Sequence, residues 1–177
     1  MRFTVEMMTR GVDFERFCRV YYSEPFNRCV VEEAELIERT LLESETLHDG
    51  RERRRTRVVP KVELPKLLRP LLQGHAISYE EVSVLDRATR SAELEVHSIA
   101  GHRLRVTAHA EFVEQSDGLR ACFECHAEVR VFGLAHVVER HLAQEVTRRY
   151  ALVELALQRF FDAGRERELL ELSASTG

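Results

Sequence analysis

Residues 104–131 read LRVTAHAEFVEQSDGLRACFECHAEVRV, and apolar and polar side chains alternate on both sides of the central QSDG. A period of two is typical of strands that bury one face. The loop 115–118 sets Phe112 opposite Ala121, so the apolar positions of the two halves fall on the same face. We therefore predict an antiparallel hairpin with one face against a core and the other in water.

Five further strands are predicted from similar patterns, and they extend this hairpin into a sheet. They cover residues 3–8, 37–47, 51–59, 76–85 and 92–99. A short glycine-containing loop, 48–50, joins two of them. It predicts a register in which Glu45 faces Arg53 and Thr40 faces Val58, so that opposite charges support each other across the pair.

Three helices complete the predicted order. Asp13 has the position of an N-cap for a first short helix, and Pro25 separates it from a second over 26–34. A third helix of about 28 residues begins at Leu134 and ends near Gly164. Strand, two helices, six strands and a long helix make an α+β fold with a seven-stranded antiparallel sheet.

The composition limits the class of protein. The chain has 177 residues with a hydrophobic share of 44%, which suits one domain over 1–164 and a flexible tail over 165–177. No apolar run approaches the roughly 20 residues of a membrane span, and the N-terminus alternates like a strand rather than a signal peptide. We therefore expect a cytoplasmic protein whose four cysteines are free thiols. The net charge of −4 disfavours a nucleic-acid partner.

Two motifs that could carry chemistry are better explained by strand structure. Cys122 and Cys125 form a CxxC, but residues three apart in a strand point to opposite faces, so we expect neither a metal site nor a redox pair. The arginine run 51–57 is similar to a nucleic-acid patch, yet it faces Glu43 and Glu45 in the predicted hairpin. No catalytic triad order or glycine-rich phosphate loop stands out. We predict no catalytic residue, no cofactor and no metal.

Several short stretches, taken in order, resemble a bacterial family of START-like proteins without an assigned reaction. They are RFTVEM (2–7), FNR (26–28), RRRTRV (53–58) followed by Pro60, LP (64–65), SY (78–79), DRAT (86–89) and VFG (131–133). The resemblance covers almost the whole chain. It implies the helix-grip arrangement of the START-like (SRPBCC) superfamily, with the sheet curved around the C-terminal helix. It also implies a plausible cavity for a lipid or other hydrophobic small molecule.

The candidate ligand site lies between the inner sheet face and the apolar stripe of the last helix. By helical angle Arg149 falls within that stripe, where a charge must be compensated. It could pair with Glu145 one turn earlier, snorkel to water, or hold the acidic head group of a ligand. Strand 76–85 does not alternate cleanly, which adds Glu81 as a weaker candidate. The predicted cavity residues are Arg149, Leu142, Val146, Val153, Phe112, Phe123, Arg54 and Tyr79.

The connection 60–74 carries leucines at helical spacing with few neighbours in sequence to bury them. We predict that they form a lid over the cavity, or a patch that touches a membrane transiently. The lid residues are Leu64, Leu67, Leu68 and Leu71.

Three functions stay open at this point. The first is a module that binds a lipid or other hydrophobic molecule, the second is a ligand-free interaction or regulatory protein, and the third is a cyclase-like enzyme. A cavity of a few hundred Å³ favours the first and third, and titratable groups converging inside it favour the third. We expect binding rather than catalysis. The sequence defines neither the ligand nor an oligomeric state.

Overall fold

A computed structural model of the chain describes residues 1–61, 78–98, 104–130, 133 and 135–169. The strands are β1 (Arg2–Arg10), β2 (Leu36–Thr46), β3 (Glu52–Pro60), β4 (Tyr79–Asp86), β5 (Ser91–Ser98), β6 (Leu104–Gln115) and β7 (Gly118–Val129). The helices are α1 (Phe14–Tyr21), α2 (Glu24–Glu33) and α3 (Ala135–Asp162). The predicted order of elements and the α+β class are confirmed.

The strands form one antiparallel sheet in the order β1-β7-β6-β5-β4-β3-β2. Strands β2 to β7 pair with their neighbours in sequence, whereas β1 pairs with β7, the last strand. Helix α3 contacts β1, β7 and α2. None of the described helices has the length and apolar content that crossing a membrane requires.

The β6–β7 hairpin has the predicted register, with Phe112 opposite Ala121. Gly118 opens β7 at φ +153°, and a Cβ there would lie 2.2 Å from the carbonyl oxygen of Thr9 in β1. Only glycine lets β1 and β7 approach this closely, because any side chain would collide with the neighbouring backbone.

The β2–β3 hairpin keeps the predicted register only near its turn. Glu45 lies opposite Arg53 as predicted, and their side chains are 2.8 Å apart. A β-bulge between Leu41 and Glu43 then shifts the pairing, so that Thr40 faces Arg57 and the predicted partner Val58 is wrong. An extra residue in one strand reverses which face each later side chain occupies.

Both short helices have identifiable caps. The side chain of Asp13 accepts a hydrogen bond from the Arg16 amide at 2.8 Å, which confirms the predicted N-cap of α1. Helix α2 begins at Glu24 with Ser23 as its N-cap, and Pro25 lies in its first turn. The predicted interruption at Pro25 is therefore wrong, because proline is well suited to the first turn of a helix, where its missing N–H is not needed.

The main core lies between the sheet, α1, α2 and the C-terminal half of α3. Phe112 packs against the rings of Phe14 and Phe17, and Phe160 of α3 packs against Phe26 of α2. Leu142, near the start of α3, belongs to a separate small cluster.

The chain keeps contact with the core just past α3. Glu166 lies 2.6 Å from the guanidinium of Arg16, and Leu169 packs against the main core. The domain boundary at 164 and the flexible tail beyond it stay predictions.

Candidate ligand pocket

A cavity of about 70 Å³, partly open to solvent, lies between α3, the β2–β4 half of the sheet and the C-terminal end of α2. Its apolar lining consists of Val30, Ala34, Leu36, Val58 and Val153. Its polar lining consists of Tyr21, Arg39, Tyr79, Glu81, Arg149 and Tyr150. The volume is well below the roughly 300–1,000 Å³ of sites that enclose a drug-sized ligand. This pocket is therefore not the cavity of a few hundred Å³ that would favour a binding module, and it could enclose only part of a ligand.

Strand β4 supplies two of the polar groups. Glu81 lies opposite Thr56 of β3 and Val96 of β5, on the inner face of the sheet. Tyr79, two residues earlier, shares that face because side chains in a strand alternate. A carboxylic acid therefore occupies an inward position that most strands of this kind fill with an apolar residue.

The β-bulge in β2 brings a guanidinium to the same face. Arg39 lies opposite Val58, whereas the unshifted register would place it on the outer face. Arg39 donates a hydrogen bond to the buried side chain of Asn27 and lies 5.7 Å from the centre of the Tyr21 ring. The side chain of Arg39 forms no ion pair with any residue in the described part of the chain.

The carboxyl group of Glu81 has neither a hydrogen bond nor an ion pair among the described residues. Burial raises its pKa above the ordinary value of 4.5, and the charge of Arg39 opposes that shift. The pocket thus favours the neutral acid, which can both donate and accept a hydrogen bond.

Arg149 fixes the end of α2 and also reaches the pocket. Its Nη1 donates to the carbonyl oxygens of Ala34 at 2.9 Å and Glu35 at 3.3 Å. Its Nη2 is buried, makes no hydrogen bond to a residue that the structure describes and lies 3.7 Å from Glu145 Oε2. The side chain is 13% exposed, and burial lowers its pKa. The predicted Glu145 contact exists, but the main partners of Arg149 are backbone carbonyls.

Three tyrosines complete the polar side of the pocket. Burial raises the pKa of Tyr21 to about 12, and it raises the pKa values of Tyr79 and Tyr150 as well. All three are neutral near pH 7. Their hydroxyl groups make no hydrogen bond to a described residue, so each can donate to a bound molecule.

The structure brings some of the predicted site residues together and leaves others apart. Arg149, Val153 and Tyr79 line the pocket. Phe123 packs against the ring of Tyr150 at 4.5 Å, directly behind the lining, and Val146 packs against the main core.

Three predicted residues lie elsewhere. Phe112 is surrounded by other aromatic rings of the core, and Leu142 is in the separate cluster near the start of α3. Arg54 lies 3.8 Å from the centre of the Tyr22 ring and pairs with Glu52. The predicted lid, Leu64, Leu67, Leu68 and Leu71, falls outside the described residues.

Sequence reasoning missed Tyr21, Arg39 and Tyr150. Tyr150 lies four residues after Val146 and three before Val153 on α3, so the helical spacing of the apolar stripe could have found it. Arg39 is placed by the bulge, for which the sequence carries no distinct signal.

The chain is similar to one protein family in sequence and to several solved structures in fold. Residues 8–159 match the model of a family described as "Protein of unknown function (DUF2505)". None of the curated proteins matches the chain. TTHA0849 from Thermus thermophilus is similar over 93% of this chain and 99% of its own, with 14% identity and a TM-score of 0.66.

Two further solved structures share the arrangement. Ara h 8.0201 is similar over 89% of this chain and 97% of its own, with 10% identity and a TM-score of 0.59. The Zhui aromatase/cyclase from Streptomyces sp. R1128 is similar over 91% of this chain and 94% of its own, with 11% identity and a TM-score of 0.57. The predicted helix-grip fold is confirmed.

Proposed function

We propose that this chain, which belongs to the family described as "Protein of unknown function (DUF2505)", binds a hydrophobic small molecule in the pocket between the sheet and α3. The observation that supports this is the lining. Apolar walls surround polar groups that lack hydrogen-bond partners in the described part of the chain: Arg149 Nη2, which is buried, and the Glu81 carboxyl and the tyrosine hydroxyls, whose residues are half-buried. Buried polar groups are nearly always hydrogen-bonded, so a bound molecule is a natural partner for them.

The size of the cavity defines how such a molecule would bind. A volume of about 70 Å³ holds only the polar end of a ligand. The apolar remainder would follow the open side of the pocket along Val153 and Leu36. A lipid fits this description, and so does any other hydrophobic molecule with a single polar end.

Filling the pocket tests the proposal. Val153→Trp adds bulk at a lining position, whereas Leu155→Trp adds the same bulk at a position on α3 that is 54% exposed. Binding of a fluorescent fatty acid should weaken at least about tenfold, or about 1.4 kcal/mol, in the first variant and stay unchanged in the second. Thermal melts confirm that both variants fold.

Native mass spectrometry of the protein purified from its own host supplies a second readout. We expect a hydrophobic molecule to co-purify with the parent protein and to be lost from Val153→Trp. Equal binding by the two tryptophan variants would contradict this pocket as the site. Absence of any binding by the parent protein would leave a ligand-free interaction module.

A cyclase-like enzyme is the second candidate, and one observation favours it. Four titratable side chains, Glu81, Tyr21, Tyr79 and Tyr150, converge on one cavity, as the sites of acid–base catalysis do. If the protein turns over its ligand, Glu81→Gln should co-purify with a molecule heavier than that bound by the parent protein by one water, the change in a dehydrative ring closure. Identical masses would favour binding alone.

A further inference from the structure

We infer that the ligand is a hydrophobic anion, such as a carboxylate or sulfonate, and that its binding is coupled to proton uptake by Glu81. This inference rests on the proposed function, because it names the ligand class of the same pocket. It is carried by the charges that line the cavity and by the carboxylic acid placed among them.

Two guanidinium groups reach the pocket from opposite sides. Arg39 comes from β2 with a neutral partner, Asn27. Arg149 comes from α3 with Nη2 free of hydrogen bonds and a single carboxylate, Glu145, at 3.7 Å. With Glu81 neutral, the two guanidinium groups of the described lining are offset only by Glu145, which lies outside the lining, and one positive charge remains in excess.

The other elements around Glu81 add no charge to the lining within the described part of the chain. Helix α1 contributes Tyr21, and α3 contributes Tyr150 beside Arg149. Helix α2 and β3 line the pocket with apolar residues, and β5 places Val96 opposite Glu81. One excess positive charge in an otherwise apolar cavity complements one negative charge on a ligand, since buried charges need partners.

Ionisation of Glu81 would remove that excess. A carboxylate on Glu81 offsets the positive charge of Arg39 and repels a ligand anion in the same small cavity. Burial already raises the pKa of Glu81, and a bound anion raises it further because like charges disfavour the ionised form. Anion binding and protonation of Glu81 therefore favour each other, and this linkage is reciprocal.

A matched pair of fluorescent probes separates the ligand class from the binding function. Anilinonaphthalene sulfonate stays anionic at all pH values used, and N-phenylnaphthylamine is nearly the same molecule without the sulfonate. Both are titrated into the folded protein at several pH values from about 4.5, the ordinary pKa value of a glutamic acid, up to about 8. We expect the affinity for the sulfonate to fall about tenfold or more as the pH rises through the Glu81 transition, while the affinity for the neutral amine stays constant.

Two glutamine variants assign the effect to one residue. Glu81→Gln should bind the sulfonate at high pH as tightly as the parent protein does at low pH, with no pH dependence. Glu80→Gln removes the same charge from the outer face, where Glu80 pairs with Arg55 at 3.4 Å, and should keep the dependence. A pH dependence that survives in Glu81→Gln would overturn the coupling.

The remaining outcomes distinguish this inference from the proposed function. Binding of the neutral amine without the sulfonate would overturn the ligand class and leave the hydrophobic pocket intact. Binding of neither probe would overturn both. Val153→Trp serves as a control in each titration, since sulfonate that still binds to it occupies another surface and counts against the inference.

Discussion

Among single residues, Arg149 combines roles that the sequence could state only as alternatives. One nitrogen of its guanidinium donates to the carbonyls of Ala34, the C-cap of α2, and Glu35, and the side chain also lines the pocket. Helix ends leave carbonyl groups unsatisfied, and a cationic side chain is an effective partner for them. Glu35 has a left-handed backbone at φ +53° next to this cap, so Arg149 also stabilises a turn that non-glycine residues rarely adopt.

We predict that Arg149→Met lowers the free energy of unfolding by about 1.5–3 kcal/mol, because the hydrogen bonds from its charged side chain to the carbonyls of Ala34 and Glu35 are lost. Arg148→Met is the control. Arg148 is 41% exposed and pairs with Glu35 and Glu145, and exposed ion pairs contribute at most about 1 kcal/mol. Urea denaturation of both variants measures the difference. Equal losses would mean that Arg149 does not stabilise the end of α2.

At the scale of elements, the sequence predicted some pairings well because their signals are redundant. In the β6–β7 hairpin, clean alternation and a short turn agree, so Phe112 and Ala121 were placed correctly. In β2, the bulge after Leu41 overrides an equally regular charge pattern. No local property marks the extra residue, because its position depends on how the whole sheet twists.

The pocket shows a second limit of pattern reading. Tyr79 and Glu81 lie on the inner face, yet Glu80 and Glu81 are the same residue type with opposite surroundings. Binary patterning cannot tell a buried acid from an exposed one. Among the described residues, the polar lining of the pocket depends on Glu81 and Arg39. The sequence alone could not show that these two residues line the same cavity.

Helix α3 depends on its C-terminal half for its attachment to the core. Leu157 is fully buried there, whereas Leu155 is 54% exposed. We predict that Leu157→Ala lowers the free energy of unfolding by about 2–5 kcal/mol, through lost burial and the cavity that remains. Leu155→Ala should change it by less than about 0.5 kcal/mol. Chemical denaturation followed by circular dichroism checks both, and a small loss for Leu157→Ala would mean that α3 contributes little to the core.

For the whole molecule, the pH dependence of stability contains two opposing contributions. Hydrogen bonding and charge from Arg148 lower the pKa of Glu35, so its contribution is present above the unfolded pKa and is lost as the pH falls. Glu81 acts in the reverse sense. Its raised pKa means that the folded state holds the proton more tightly, so stability falls as the pH rises from about 4.5 through the folded pKa.

We therefore predict that Glu81→Gln gains stability relative to the parent protein as the pH increases above about 4.5, since the variant has no proton to lose. Urea denaturation at several pH values between 4 and 8, about one unit apart, measures the difference. Glu80→Gln should show no such trend. A constant difference between Glu81→Gln and the parent would show that Glu81 titrates alike in the folded and unfolded chains.

The position of β1 in the sheet has a consequence for the protein during its synthesis. Glu6 and Arg120, which are hydrogen-bonded across β1 and β7, are 114 residues apart. A ribosome that adds about 5–20 residues per second needs on the order of ten seconds to make that interval. During these seconds the nascent β1 cannot pair with β7, and its residues Val5 and Met7 stay uncovered. Strands β2 to β6 can meanwhile pair in the order in which they emerge. Strand β1, the first strand of this sheet to be synthesised, is thus the last to pair.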